Sequence, residues 1–333
     1  MAIELGSRMR KTLTCLLLFG LSLLLAPTLS SQESSTSKGD AARKAILVTG
    51  ASSGIGRMTA ELLADSGYFV YAGARKQKDL DSLNALENVQ AIRLDVTVQE
   101  EIDAAVLTIE QAGRGLFGLI NNAGVVSIAP LIEVTEDDLQ FVMDVNVFGP
   151  YRITKAFAPL LIKSKGRVAT TGSISGAGTW ALGGSYCMSK FAIEAYTDVL
   201  AAEMAQFGVQ VCVVEPGNFK SDITKSMKQR MQSKGYSTEG SLYQNALDNV
   251  FGGSQDRSQY KEPTAVAEAF LSFLKAEHPQ RRYMVVPNLG EGYFAVNSAM
   301  QRLVQMNGDQ EHSFDREQLI AMLDAALAAQ KKQ

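Results

Sequence analysis

The chain has only two histidines, His278 and His312, and three cysteines, Cys15, Cys187 and Cys212, among 333 residues. So few imidazoles and thiols leave almost no material for a His-based hydrolase triad or a zinc site, and no metal is expected. An odd cysteine count without a framework gives no argument for disulfides, and Cys212 lies inside an apolar run where it reads as core. A basic field is missing too. The formal net charge is −3, which excludes the electrostatic footprint of a nucleic-acid binder. What is present is apolar bulk: 46% of residues are hydrophobic, enough for one catalytic domain of about 250 residues plus extensions.

Long apolar runs are scarce, and the clearest stands at the N-terminus. Arg8, Arg10 and Lys11 precede Leu13 to Ala26, which only Thr14, Gly20 and Ser22 interrupt; Pro27 and a Ser/Thr-rich stretch through Asp40 follow. This is the build of a signal peptide or signal anchor. Its core is short against the ~20 apolar residues of a comfortable span. No Ala-x-Ala site and no twin arginine occur, and Cys15 opens the apolar run, unlike a lipoprotein cysteine. Residues 1–40 are therefore expected to be a signal peptide or membrane anchor plus polar linker, with membrane association or export through residues 12–27. Lys38, Arg43 and Lys44 balance the leading charges, so topology stays open.

The most informative spacing lies further on. Ser173 precedes Tyr186 by thirteen residues, and Lys190 follows Tyr186 by four. Small and apolar residues predict a helix over Ala181–Gly208, which puts Tyr186 and Lys190 one turn apart on one face. A phenol titrates near ~10 in water, and a neighbouring ammonium would favour its anion and make it a proton donor and acceptor near neutrality. That is the layout of a site that reduces carbonyls or oxidises alcohols. A second Tyr-x-x-x-Lys, Tyr151 to Lys155, has Asp138 in place of the serine, and Tyr151 reads as an ordinary helix residue.

Upstream, Ala45-Ile46-Leu47-Val48 is a short β-favouring run that ends in Thr49-Gly50-Ala51-Ser52-Ser53-Gly54-Ile55-Gly56, after which Met58, Leu62 and Leu63 recur at helical spacing. Strand, glycine turn and helix follow in that order. Gly50 would permit the tight turn, Gly54 the close approach of a pyrophosphate, and Gly56 close helix–strand packing. Tyr68–Ala74 reads as a second strand with Arg75 past its end, Val89–Leu94 as a third closing on Asp95, and Leu116–Ile120 as a fourth leading into Asn121-Asn122-Ala123-Gly124. Ligands bind at such strand ends in open parallel sheets.

Together these residues resemble the short-chain dehydrogenase/reductase family over about Lys44–Asn288. The resemblance implies an α/β, doubly wound Rossmann-type parallel sheet: a single catalytic domain over 41–290 with a C-terminal helical extension over 291–333. It implies that Thr49, Gly50, Ser52, Ser53, Gly54, Ile55 and Gly56 hold a dinucleotide, with Asn122, Ala123 and Gly124 beside it. Asp95 would contact the adenine, and Pro216-Gly217 would flank the nicotinamide. Asn146, Ser173, Tyr186 and Lys190 match the catalytic positions. Ser173 would bond the substrate oxygen and Tyr186 exchange its proton. Lys190 would lower the Tyr186 pKa and hold the ribose, and Asn146 would orient a relay water.

Cofactor choice rests on the end of the second strand. Ala74 stands where an acid would accept the ribose hydroxyls, and Arg75, with Lys76 and Lys78 near it, suits a 2′-phosphate. NADP(H) is expected, with NAD(H) as the alternative. Asn218–Glu262 carries Met227, Met231, Tyr236, Leu242, Tyr243 and Phe251 among polar residues, which suits a lid over a hydrophobic substrate. Relatives with a similar Glu215–Phe219 segment include steroid, retinol and hydroxybutyrate dehydrogenases, so a lipid-like alcohol or ketone is expected. The tail reads as helix Ala265–Glu277, strand Tyr283–Pro287 and amphipathic helices through Ala329. The family habit of pairing helices implies a homodimer or homotetramer. The other reading is a catalytically silent nucleotide sensor or scaffold, which would have no chemical need for Tyr186 and Lys190.

Overall fold

A computed structural model describes residues 43–252 and 257–330. The signal or anchor expectation for residues 1–40 lies outside the described residues. Among the described residues no helix is long and apolar enough to cross a membrane.

Seven strands form one parallel sheet: β1 Ala45–Val48, β2 Phe69–Ala74, β3 Val89–Arg93, β4 Gly118–Asn121, β5 Arg167–Thr171, β6 Gln210–Pro216 and β7 Arg282–Val285. Their order is β3-β2-β1-β4-β5-β6-β7. The order reverses between β1 and β4, and a crevice opens there at the carboxyl ends of the strands. The central strands are largely apolar and buried because both faces are covered, as in β1, where all four residues are buried. In β1, Ile46 and Val48 enter the core on one side, while Ala45 and Leu47 enter the core on the other.

Helices fill both sides. In chain order they are α1 Gly54–Asp65, α2 Gln77–Asn84, α3 Gln99–Gln111, α4 Glu136–Met143, α5 Gly149–Ser164, α6 Gly184–Met204, α7 Ile223–Ser233, α8 Gln244–Gly252, α9 Thr264–Lys275, α10 Leu289–Asn307 and α11 Arg316–Gln330. One core holds Leu63 of α1 with Phe270 and Phe273 of α9. The other holds Ile102 of α3, Phe157 and Leu161 of α5, and Ala201 of α6. Each such side chain contributes roughly 1.5–3 kcal/mol by leaving water. Between α4 and α5 the backbone takes a π-helical turn, Asp144–Phe148, which widens the helix at Asn146.

The strand and helix expectations match with end shifts of at most four residues. The helix expected over Ala181–Gly208 runs Gly184–Met204 and finishes in a 3₁₀ turn, Ala205–Phe207. The segment Asn218–Glu262, for which no helix is expected, contains α7 and α8; their mixed polar composition hides the helical period.

Candidate active site

The glycine turn is built as tightly as its sequence requires. Gly50 and Gly54 have φ of 64° and 54°, a region where a side chain is strained. A Cβ on Gly56 would stand 2.3 Å from the Gly50 carbonyl oxygen, so the start of α1 lies against the turn with no room for a methyl. No side-chain oxygen caps α1, since Ser53 at the N-cap makes no capping bond. The first-turn N–H groups are thus available to an anion, and the helix dipole favours one there.

Thr49 and Asn122 lock this turn to the end of β4. Thr49 Oγ1 accepts from the backbone N–H of Asn122 at 3.0 Å and of Ala123 at 3.1 Å. Asn122 Nδ2 donates to the carbonyls of Thr49 and Gly50, both at 3.1 Å. The preceding Asn121 turns the other way and donates to Thr154 Oγ1 on α5 at 3.0 Å. Two adjacent asparagines therefore fasten β4 to elements on opposite faces.

Arg75 is the first exposed residue past β2, while Ala74 is buried in the core. Arg75 Nη1 reaches Asp95 Oδ2 at 3.3 Å. Burial pushes the Asp95 carboxyl up, but the hydrogen bonds from the Thr97 backbone and hydroxyl, together with Arg75, bring it below the usual value. Asp95 is thus an anion held in place at this end of the crevice.

Further along the strand ends lie the four candidate catalytic residues. Lys190 is buried, and its Nζ donates to the Thr171 carbonyl at 2.7 Å. Burial lowers its pKa to about 8, and the charge of Glu194 opposes that fall. Ser173 Oγ accepts from the Ser175 N–H at 3.1 Å, and the Ser173 side chain favours ionisation of the Tyr186 phenol. Burial holds the Tyr186 phenol above the usual tyrosine value, against the lowering effects of Ser173 and Arg257. Lys190, expected to lower the Tyr186 pKa, is not among the groups that do so here. The ammonium lies 5.6 Å from the ring centroid and is directed to Thr171, so desolvation of the phenol dominates.

Asn146 sits in the π-helical turn with its amide fully engaged. Its Oδ1 accepts from Val125 N–H at 2.8 Å. Its Nδ2 donates to the Val125 carbonyl at 2.9 Å and to Ser189 Oγ at 3.0 Å. Asn146 therefore ties the chain after Gly124 to α6, which carries Tyr186 and Lys190. Tyr151, by contrast, is exposed on α5, where Lys155 Nζ donates to its hydroxyl at 3.4 Å.

An apolar cluster from the segment expected to form a lid packs against Tyr186. Met227 of α7 and Leu247 of α8 are buried with Val126 and Ile128, and Tyr186, Ile223, Met231 and Phe251 pack against them. Tyr236 meets Phe251 edge-on at 5.8 Å, while Leu242 and Tyr243 are exposed. Pro216-Gly217 is fixed from the C-terminal side. Asn288 caps α10 by accepting the Glu291 N–H at 3.0 Å, and Glu291 Oε2 accepts the Asn218 N–H at 2.7 Å. Further along α10, Arg302 donates to the Ala177 carbonyl at 3.0 Å.

The structure therefore brings Asn146, Ser173, Tyr186 and Lys190 to one end of the sheet, beside Pro216-Gly217, with the glycine turn and Arg75–Asp95 along the same edge. Sequence reasoning missed Thr171, Ser189, Arg257 and Glu291, whose partners lie far along the chain and leave no local signal. It also missed Glu194, which the spacing of four from Lys190 would have revealed.

A family model described as short chain dehydrogenase matches residues 44–232. The chain is 38% identical over 209 residues to the mitochondrial D-beta-hydroxybutyrate dehydrogenase of Mus musculus, a match covering 59% of this chain and 61% of that protein. The match thus spans about three fifths of that relative's length. With retinol dehydrogenase 16 of Rattus norvegicus the identity is 31% over 254 residues, covering 72% of this chain and 80% of that one. A solved short-chain dehydrogenase from Streptomyces avermitilis superposes with a TM-score of 0.65 at 29% identity, covering 79% of this chain and 93% of that structure.

Proposed function

The chain belongs to the short-chain dehydrogenase family, and on that premise we propose that it is an NADP(H)-dependent oxidoreductase acting on a hydrophobic alcohol or ketone. The observation that carries this reading is the convergence of Ser173, Tyr186 and Lys190 under an apolar lid.

The residues fit a dinucleotide. Gly50, Gly54 and Gly56 leave a cradle without Cβ atoms, and the uncapped start of α1 offers N–H groups to a diphosphate. Arg75 would pair with a 2′-phosphate, and the absence of an acid at Ala74 removes the repulsion that would oppose one. When bound, a nicotinamide supplies or accepts hydride at its C4 carbon.

The protein's own residues handle the proton. Ser173 Oγ and the Tyr186 hydroxyl both bond the substrate oxygen. In reduction Tyr186 gives its proton to the developing alkoxide; in oxidation it takes the alcohol proton. Lys190 places a positive charge near the resulting phenolate, which favours that anion. Asn146 holds the loop at Val125 against α6, which keeps the floor of the site in register. The lid residues Met227, Leu247 and Phe251 exclude water and favour a steroid-, retinoid- or lipid-like substrate. Membrane association or export through residues 12–27, and assembly as a homodimer or homotetramer, belong to the same reading and rest on the sequence.

The test is a titration of the protein with NADPH and with NADH, followed by nicotinamide fluorescence, in parallel with Arg75→Asp. Tighter binding of NADPH, reversed in the variant, is expected. A folded protein that binds neither dinucleotide contradicts the oxidoreductase reading, and equal affinities that Arg75→Asp leaves unchanged contradict the NADP(H) preference.

A further inference from the structure

The face of α6 that carries Tyr186 and Lys190 continues, at the same spacing of four, to Glu194 and Asp198. Glu194 is nearly covered, with 15% of its side chain exposed. Its Oε2 accepts from Arg282 Nε at 3.1 Å, but its Oε1 is shut from solvent and has no ordinary donor. A buried carboxylate oxygen without a donor costs free energy, so a source of that hydrogen bond must be sought.

A second carboxyl stands close by. Glu215 lies in β6, directly before Pro216-Gly217. A Cβ on Gly172 would stand 3.0 Å from Glu194 Oε1 and 3.4 Å from Glu215 Cγ. A Cβ on Gly176 would stand 3.0 Å from the same Oε1. Two glycines thus keep open the spot where the glutamates converge. An ionised carboxylate can only accept, whereas a protonated one donates. Glu215 completes the hydrogen bonding of Glu194 only if it carries a proton.

We propose that Glu194 and Glu215 share one proton, and that the singly charged pair is a positioning element that sets the charge of Lys190 one helical turn away. The second half rests on the oxidoreductase reading; the first does not. The charged groups facing the pair are Lys190 and Asp198 from α6 and Arg282 from β7, with Arg281 reaching Asp198 at 3.5 Å. Burial and the facing Glu194 carboxyl push Glu215 up to about 7, against the opposing pull of Arg282. Burial raises Glu194 as well, and its charge supports the protonated form of Lys190. Because Glu215 leads straight into Pro216-Gly217, one shared proton links the catalytic lysine to the turn beside the proposed nicotinamide site.

The experiment is a pH titration by NMR of the full chain without substrate or dinucleotide, with glutamate labelled at the side-chain carboxyl carbon and lysine at Cε. One glutamate is expected to titrate near pH 7, and its signal to vanish in Glu215→Gln. That amide still donates to Glu194 Oε1, so the fold is retained and a thermal melt verifies it. In Glu194→Gln the Lys190 midpoint, assigned with Lys190→Met, is expected to fall by about half a pH unit or more, because a neighbouring anion is gone. If every glutamate titrates below about pH 5.5, within the ordinary range for that side chain, the shared proton is overturned. An unmoved Lys190 overturns the positioning role. Absence of turnover in a protein that shows both titrations contradicts the oxidoreductase reading and leaves the pair standing.

Discussion

Asn146 and Val125 form a closed pair: the Asn146 amide accepts the Val125 N–H at 2.8 Å and returns a bond to the Val125 carbonyl at 2.9 Å. Asn146 is buried and Val125 half-buried, so removing the amide leaves both Val125 backbone groups without this partner in a largely covered place. Asn146→Leu is expected to lower stability by about 2–3 kcal/mol, the scale for buried unsatisfied polar groups. Turnover should fall further than the folded fraction does. Denaturant unfolding with parallel kinetics checks this; a stability loss under about 0.5 kcal/mol, the range of an ordinary surface change, would mean that the pair holds nothing.

Gly56 offers a sharper steric test. Its Cβ would meet the Gly50 carbonyl oxygen at 2.3 Å, and backbone cannot give way as a side chain does. Gly56→Ala should cost about 1–3 kcal/mol through overpacking and weaken NADPH binding by at least about tenfold, a factor worth 1.4 kcal/mol. Calorimetric titration and a thermal melt separate the two effects.

Lys190 is expected to cost stability where it stands. Burial lowers its pKa to about 8, so at neutral pH the fold holds an ammonium in a poorly solvated place. Lys190→Met should remove turnover while leaving stability equal or up to about 2 kcal/mol higher. A loss of more than about 2 kcal/mol, the scale of a broken buried hydrogen bond, would assign Lys190 a structural role through Thr171.

Much of this was legible in the sequence because it is local. Four apolar residues ending in Thr49-Gly50 mark β1, the serine–tyrosine–lysine spacing marks the site, and a glycine with no tolerance for Cβ marks the turn. What was not legible depends on distance along the chain. Glu291 reaches Asn218, and Thr49 reaches Asn122 and Ala123, across more than seventy residues. The proton affinity of Tyr186 could not be read from its spacing to Lys190, because it is raised first by burial of the phenol, which tertiary packing sets. The helices α7 and α8 were hidden because their apolar residues are interspersed with polar ones and form a small separate cluster with Val126, Ile128, Leu182 and Tyr186.

Glu215 should leave a signature in stability against pH. Folded, it keeps its proton up to about 7; unfolded, a glutamate loses it near ~4.3. Between those values the folded chain binds more protons, so this group's contribution to stability falls as pH rises through the window and levels off above it. After discounting for partial exposure, the change is roughly 1–2 kcal/mol. Glu215→Gln should flatten that part of the profile; an unchanged slope would contradict the raised affinity.

The central claim is that Tyr186 moves the proton. The measurement that tests it most directly is turnover with NADPH or NADP⁺ by the wild type, Tyr186→Phe and Tyr151→Phe, using the best substrate from a panel of hydrophobic alcohols and ketones. Tyr186→Phe should keep dinucleotide binding and lose about 10²–10⁴-fold in kcat, the usual worth of a positioned acid or base, while Tyr151→Phe, altered on the exposed face of α5, stays within about twofold of wild type. Equal turnover by wild type and Tyr186→Phe would contradict the account.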